Sequence, residues 1–204
     1  MKKRGAFIVI DGMDGSGKST QMRLLKKKLG TKAVFTFDPG GTETGKALRK
    51  MLLVRKQKPS PLTIFYMFLA ARASIVQEII EPALSAGKMV VCDRFDSSTF
   101  TYQIGAGRHP EWRKAFESFS DATGGVKPDA YIILDIEPAE ARRRIVHNGI
   151  TDVYEAKPIA FYKRIREGML DFKPRGSKKY IVDASGSREE VQERIWKIVR
   201  EFAK

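Results

Sequence analysis

Residues 10–20 read IDGMDGSGKST, directly after the apolar run Ala6 to Ile10. Three glycines and the run Lys18-Ser19-Thr20 stand where a buried strand over Gly5–Asp11 should give way to a helix over Ser19–Leu29, closed by Gly30. The spacing Gly12-x-x-x-x-Gly17-Lys18-Ser19 satisfies the P-loop pattern, and the strand-to-helix context is the one that gives the pattern its meaning. Glycines let the backbone curl so that successive N–H groups face an anion, and the helix N-terminus adds its dipole. Lys18, read as a solvated loop cation, places a positive charge at the β/γ-phosphates, and Ser19 can ligate Mg²⁺. A plain helix cap needs none of this spacing. The stretch Gly12-Met13-Asp14-Gly15-Ser16-Gly17-Lys18-Ser19-Thr20 is therefore read as a nucleoside-triphosphate site.

Outward from it, strands and helices alternate. Strands are expected at Ala33–Phe37, Met89–Cys92, Ala130–Asp135 and Tyr180–Val182. Helices are expected over 42–54, over a long run from Pro61 toward Ala86, over 96–104, 111–122 and 138–147, and over 158–171. Ser60-Pro61 opens the long helix with a cap and a first-turn proline. Ser187 and Glu190 make a capping box for the last helix, whose Val191, Ile195, Ile198 and Phe202 form one apolar stripe. This alternation predicts an α/β domain over 1–204: a parallel five-stranded sheet covered by helices on both faces, with ligands at the carboxyl ends of its strands.

Composition bounds the rest. The chain has 204 residues, 42% hydrophobic and 30% charged, which suits a single globular domain. The run after MKKRG stops at Asp11, too short for a signal peptide, and Ile64–Ala71 ends at Arg72, too short to span a bilayer. A cytoplasmic, non-membrane protein is expected. The single cysteine, Cys92, excludes an internal disulfide and reads as a buried strand residue. His109 and His147 have no neighbours at ligand spacing and read as surface residues. The net charge of +14 is concentrated in Lys26–Lys28, Arg142–Arg144 and Lys178–Lys179, without interleaved aromatics. Such charge suits nucleic acid, an acidic membrane surface or polyanionic small molecules, and alone it leaves the partner open. Nucleic acid is expected only as a non-specific electrostatic partner.

A P-loop leaves the reaction open, since GTPases, motor and partitioning ATPases and small-molecule kinases all carry one. Asp93-Arg94 follows the strand MVVC, so both side chains emerge at the sheet edge beside the P-loop. There a carboxylate can serve Mg²⁺ and an arginine can fork onto a phosphate, or the two can form a structural ion pair. The segment DRFDSSTFTYQIGAGR, 93–108, adds hydroxyls, an amide and a tyrosine. FTFDPGGT, 35–42, sets Asp38 and a glycine turn after the second strand. In FLAAR, 68–72, Phe68 and Arg72 lie four apart on one helical face, an aromatic plane beside a cation, unless Phe68 is plain core.

Taken in order, DGMDGSGKST, the DPGGT turn, FLAAR, DRFDSSTFTYQ, KPDAYIILDI and DVYE resemble the bacterial-type thymidylate kinases, P-loop nucleoside monophosphate kinases that pass the γ-phosphoryl of ATP to dTMP. The resemblance implies a P-loop NTPase fold with a short lid near 145–157, ATP and Mg²⁺ as cofactors, dTMP as substrate, and a homodimer formed through the 60–86 helix. It also implies roles. Ser19 and Asp93 would serve the metal, and Lys18 and Arg94 the transfer. Asp14 would accept from the 3′-hydroxyl, Asp38 would sit near sugar and phosphate, and Phe68 would stack on thymine. Arg72, Thr99 and Gln103 would lie at the acceptor, Arg72 donating to the base carbonyl. Arg94 would hold the acceptor phosphate and Tyr102 would crowd the 2′ position.

The chain departs from the family pattern in three places. Phe37 stands where an arginine commonly precedes the acidic residue of the turn, the P-loop has no basic residue at its variable positions, and the lid HNGITDVYE has Val153 in place of an arginine. In the register set by Gly149 and Asp152, Arg144 falls at a family arginine position and is the candidate for transition-state charge stabilisation. Alternatively, all three arginines of 142–144 face water at the helix end. Rival functions are a kinase for another nucleoside monophosphate or nucleoside, and a nucleotide-binding, nucleic-acid-associated protein with weak catalysis.

Overall fold

The computed structural model describes residues 4–53, 59–122, 124–149 and 153–203. Val54 and Asp152, used above to bound a helix and to set the lid register, lie outside them. Five strands form one parallel sheet: β1 (Phe7–Gly12), β2 (Ala33–Phe37), β3 (Met89–Asp93), β4 (Ala130–Asp135) and β5 (Lys178–Asp183), in the order β2-β3-β1-β4-β5. β1, β3 and β4 are almost wholly apolar and buried, because helices cover both faces. The chain leaves β1 in both directions across the sheet. The crevice at its carboxyl end is the natural ligand site of such a fold.

The helices are α1 (Lys18–Leu29), α2 (Glu43–Leu53), α3 (Pro61–Ile75), α4 (Glu81–Ser85), α5 (Asp96–Thr99), α6 (Arg113–Ala122), α7 (Pro138–Asn148), α8 (Ile159–Asp171) and α9 (Arg188–Phe202). The long helix expected from Pro61 is continuous but not uniform, since a π turn at Val76–Ile80 joins α3 to α4. Ser60 caps it by accepting from Thr63 N at 3.1 Å. The whole Pro61–Ser85 run is 25 residues long with mean hydropathy 1.4, so it is long and apolar enough to cross a membrane. This corrects the shorter span read from the sequence, which ended at Arg72. Its packing makes it a core helix: Phe65, Leu69, Ile75, Val76, Ile80 and Leu84 are buried, and Arg72 is ion-paired inside.

Two further differences have simple causes. β5 extends to Lys178 and Lys179, which pair with Ala130 and Tyr131, because an edge strand tolerates lysine and Lys179 Nζ donates to Phe172 O at 2.8 Å. On α9 the buried line is Val191, Ile195 and Val199, with Ile198 and Phe202 only partly covered. The capping box forms, Glu190 N donating to Ser187 Oγ at 3.2 Å and Ser187 N to the Glu190 carboxylate at 2.8 Å.

Candidate functional site

The P-loop wraps the carboxyl end of β1. Gly15 lies at φ 81°, and a Cβ there would come within 2.4 Å of Ala141 O, so the loop packs against the first turns of α7 only because the residue is glycine. Gly17, at φ 95°, is the left-handed residue that turns the chain into α1. Lys18 is the first residue of that helix, not a solvated loop cation. It is 6% exposed, and Nζ donates to Gly12 O and Met13 O, both at 2.9 Å. Burial, then the neighbouring Arg94, lowers its pKa. A cation already desolvated and aimed at the loop's centre is cheap to hand to a phosphate.

Asp93, the last residue of β3, pairs in register with Ile10 beside this loop. Its Oδ1 is buried without a hydrogen-bond partner, and burial raises its carboxyl pKa despite Lys18 and Arg94. Asp93, Lys18 and Ser19 line one cavity of about 1030 Å³. An orphaned carboxylate oxygen near a hydroxyl and the P-loop fits the oxygen-ligand shell of Mg²⁺. Among the described residues no group of His, Cys, Asp and Glu could hold a metal by itself. Shared coordination with phosphate is the chemistry this donor set suits.

A second cavity, about 80 Å³, lies alongside and is lined by Asp14, Asp38, Phe68, Arg72, Arg94, Thr99, Tyr102 and Gln103. Every residue that the sequence assigned to an acceptor is brought to this one place, from the segments just after β1, β2 and β3, from α3 and α5, and from the π segment Phe100–Gly105 that continues α5. The wider π turn sets Tyr102 and Gln103 side by side on its buried face. Few of these groups are loose. Arg72 Nε donates to Asp38 Oδ2 at 2.9 Å and Nη2 donates to Phe95 O at 3.1 Å and to Thr99 Oγ1. Among the described residues only Nη1 of that guanidinium makes no hydrogen bond. Arg72 and Thr99 therefore reach the cavity chiefly as a braced pair rather than as two independent contacts. Asp38 Oδ1 is buried and unpartnered, and burial raises the pKa of this carboxyl against the pull of Arg72.

Arg94 is held in the left-handed region at φ 66° and turns its guanidinium back over β1. Nη1 donates to Ser98 Oγ at 2.8 Å and Gly12 O at 3.2 Å, and Nη2 donates to Asp14. Tyr102 Oη donates to the other Asp14 oxygen at 3.0 Å. Burial pushes the Asp14 carboxyl up, but Arg94, Lys18 and the tyrosine outweigh it and hold its pKa below the usual range. Asp14, Asp38, Arg49 and Arg94 line both cavities, so the two meet at these side chains. The ion pair weighed for Asp93-Arg94 is not the one that forms: among the described residues Arg94 pairs with Asp14 and Asp11 instead.

The geometry is that of two adjoining cavities whose shared wall carries two carboxylates and two guanidinium groups. The family model for thymidylate kinase matches residues 10–195. Thymidylate kinases of Symbiobacterium thermophilum, Kosmotoga olearia and Deinococcus radiodurans are 41%, 37% and 34% identical to this chain. Those alignments cover 96%, 96% and 97% of it, and 92%, 94% and 98% of the relatives. The chain belongs to the thymidylate kinase family.

One of its departures from the family pattern has a structural counterpart. Phe37, in place of an arginine, puts its ring 5.7 Å beneath the guanidinium of Arg49, whose Nη1 donates to Pro39 O at 3.0 Å. A cation therefore stands at this wall but comes from α2. The sequence reading missed Arg49 because nothing local separates it from the solvated lysines around it. Of the basic triplet, Arg143 and Arg144 line the large cavity, while Arg142 donates to Glu155 O in the turn before α8. Arg143 and Arg144 both bind Glu140, and those hydrogen bonds lower its carboxyl pKa to about 2. His147, read as a surface residue, also borders this cavity. His109 stacks on Trp112 at 3.8 Å and Cys92 is buried.

Proposed function

We propose that this protein transfers the γ-phosphoryl group of ATP to dTMP, giving dTDP for deoxynucleotide synthesis. The observation that carries the reading is the junction of the two cavities at Asp14 and Arg94, with the P-loop on one side and Phe68, Arg72 and Tyr102 on the other. ATP would lie in the large cavity with its phosphates on the backbone of Gly12–Thr20 and Lys18. Mg²⁺, held by Ser19 and near Asp93, would neutralise phosphate oxygens when bound. The acceptor phosphate would be placed by Arg94 and Arg49 for in-line attack, an oxygen of dTMP forming its bond as the ADP oxygen leaves. Little covalent chemistry falls to the protein, so positioning and charge do the work.

On the acceptor side, Phe68 would stack on thymine, with Arg72 Nη1, Thr99 and Gln103 at the base edge. Asp14 would accept from the 3′-hydroxyl. Tyr102, its hydroxyl fixed on Asp14, would leave no room for a 2′-hydroxyl. Asp38 would hold Arg72 in place rather than meet the phosphate. Arg144 would steady the migrating phosphoryl from the lid side.

A cytoplasmic homodimer, with nucleic acid as a non-specific electrostatic associate only, completes the proposal. Exposed Met51 on α2 and Leu62 and Tyr66 on α3 support self-association, and sedimentation would report it. The deciding assay couples ADP release to a panel of nucleoside monophosphates and nucleosides. dTMP should be preferred over dCMP, dGMP and the ribose analogue of dTMP. Equal kcat/KM for dTMP and dCMP would overturn the reading.

A further inference from the structure

The smaller cavity has a further wall, supplied by the turn before α8. Tyr154 lies in the turn at 153–157 that leads into α8, and its ring lines this cavity. The ring meets Tyr102 edge to face, centroids 5.6 Å apart at 82°, while its hydroxyl accepts from Gln103 Nε2 at 3.0 Å. The turn is itself tied down from both flanks. Tyr162 Oη of α8 donates to Tyr154 O at 3.4 Å and Glu155 O at 3.2 Å, and Arg142 of α7 donates to Glu155 O.

We propose that Tyr154 is a positioning residue for acceptor recognition: its hydroxyl fixes the Gln103 carboxamide so that Oε1 is presented to the acceptor base. The inference rests on reading the smaller cavity as the acceptor-base site. Gln103 has three rotatable side-chain bonds, and ordering such a side chain on binding costs free energy that prior anchoring removes. Tyr154 supplies the anchor. Its ring is wedged against Tyr102, whose own hydroxyl is fixed on Asp14, so the acceptor atom offered to Nε2 has a fixed place. Among the described residues Gln103 Oε1 makes no hydrogen bond, which leaves it for an N–H donor of the ligand. An apolar residue at 154 would fill the same wall but leave Nε2 without this partner. The same turn reaches α7, whose Arg143 and Arg144 line the donor cavity, so one short segment touches both halves of the site.

The test is a double-mutant cycle on the full chain with Tyr154→Phe, Gln103→Ala and the double variant, using dTMP and dCMP as acceptors at saturating ATP. Phenylalanine keeps the ring and removes only the hydroxyl. Tyr154→Phe should raise KM for dTMP about threefold to tenfold, the scale of one lost neutral hydrogen bond, and leave kcat within about twofold. In the Gln103→Ala background the same change should have almost no effect. A Tyr154→Phe KM within about 1.5-fold of wild type would overturn the proposal, as would an equal rise with and without Gln103. If Gln103→Ala itself leaves KM and the dTMP-to-dCMP ratio unchanged, the base-site reading fails instead.

Discussion

The cavity proposed for the ATP donor, about 1030 Å³, and the one proposed for the acceptor, about 80 Å³, share a wall yet are built on different terms. The donor side hangs from backbone: a glycine loop, a helix N-terminus and one buried lysine, with arginines at its rim that are partly exposed. The acceptor side is built of side chains that already hold one another, Arg72 on Asp38 and Thr99, Arg94 on Asp14 and Ser98, Tyr102 on Asp14. A flexible polyphosphate is well served by many N–H donors in an open chamber. A rigid base and sugar are better discriminated by a small, pre-braced one, where an ill-fitting ligand leaves buried groups unpaired. The contrast teaches that changes on the two sides should fail differently, the donor side in rate and the acceptor side in stability as well.

Lys18→Ala should give the largest loss of rate, removing turnover almost entirely, because the triphosphate loses its charge-stabilising donor. Because burial disfavours the charged Lys18, its two bonds to loop carbonyls are offset by desolvation, and urea unfolding should change by no more than about 1 kcal/mol. Turnover near wild type would remove the P-loop from the mechanism.

Arg72→Ala breaks a buried ion pair and leaves Asp38 uncompensated, so the fold itself should lose about 3–5 kcal/mol, alongside a raised KM for dTMP. Arg72→Ala/Asp38→Ala should recover part of that stability. If the single variant loses less than about 1 kcal/mol, the acceptor wall is not braced by this pair and the contrast between the cavities collapses.

Arg144→Ala sharpens the other half. This side chain is only partly buried, so unfolding should change by no more than about 0.5–1 kcal/mol. If it acts on the migrating phosphoryl, kcat should fall by orders of magnitude with dTMP binding barely altered, since such arginines are worth about 10³–10⁵ in related enzymes. A change below about threefold would assign it to the helix surface.

The smallest effect is expected at Glu140. Its folded-state pKa, about 2, lies below the ordinary 4.5 because Arg143 and Arg144 hydrogen-bond its carboxylate. Between those pH values the unfolded chain binds more protons, so this group's stabilisation is full above 4.5 and is lost as pH falls toward 2. Glu140→Gln should flatten that part of a thermal-midpoint-versus-pH curve slightly and leave neutral pH almost unchanged. An unaltered slope would show that the pair is too solvated to matter.

The legibility of the chain follows the same division. β1, Gly15, Gly17 and Lys18 were readable because a strand, a left-handed turn and a helix start are each written in consecutive residues. Phe68 and Arg72 were readable as one face of a helix, since four residues make about one turn. Arg49 was not, because what distinguishes it from Lys46 or Lys50 is the ring of Phe37 beneath it, twelve residues earlier in the chain. Tyr154 was equally silent as a site residue, its partner Gln103 being 51 positions away.

The amino-acid sequence by itself determined the α/β alternation, the triphosphate loop and the set of side chains available for an acceptor, because these depend on local periodicity, backbone freedom and composition. Only the tertiary structure decided that Lys18 is buried, that Arg72 is largely spent on Asp38 and Thr99, and that the two cavities meet at Asp14 and Arg94. Those outcomes depend on which distant groups share a desolvated space. There a charge takes the partners that packing brings within about 3 Å.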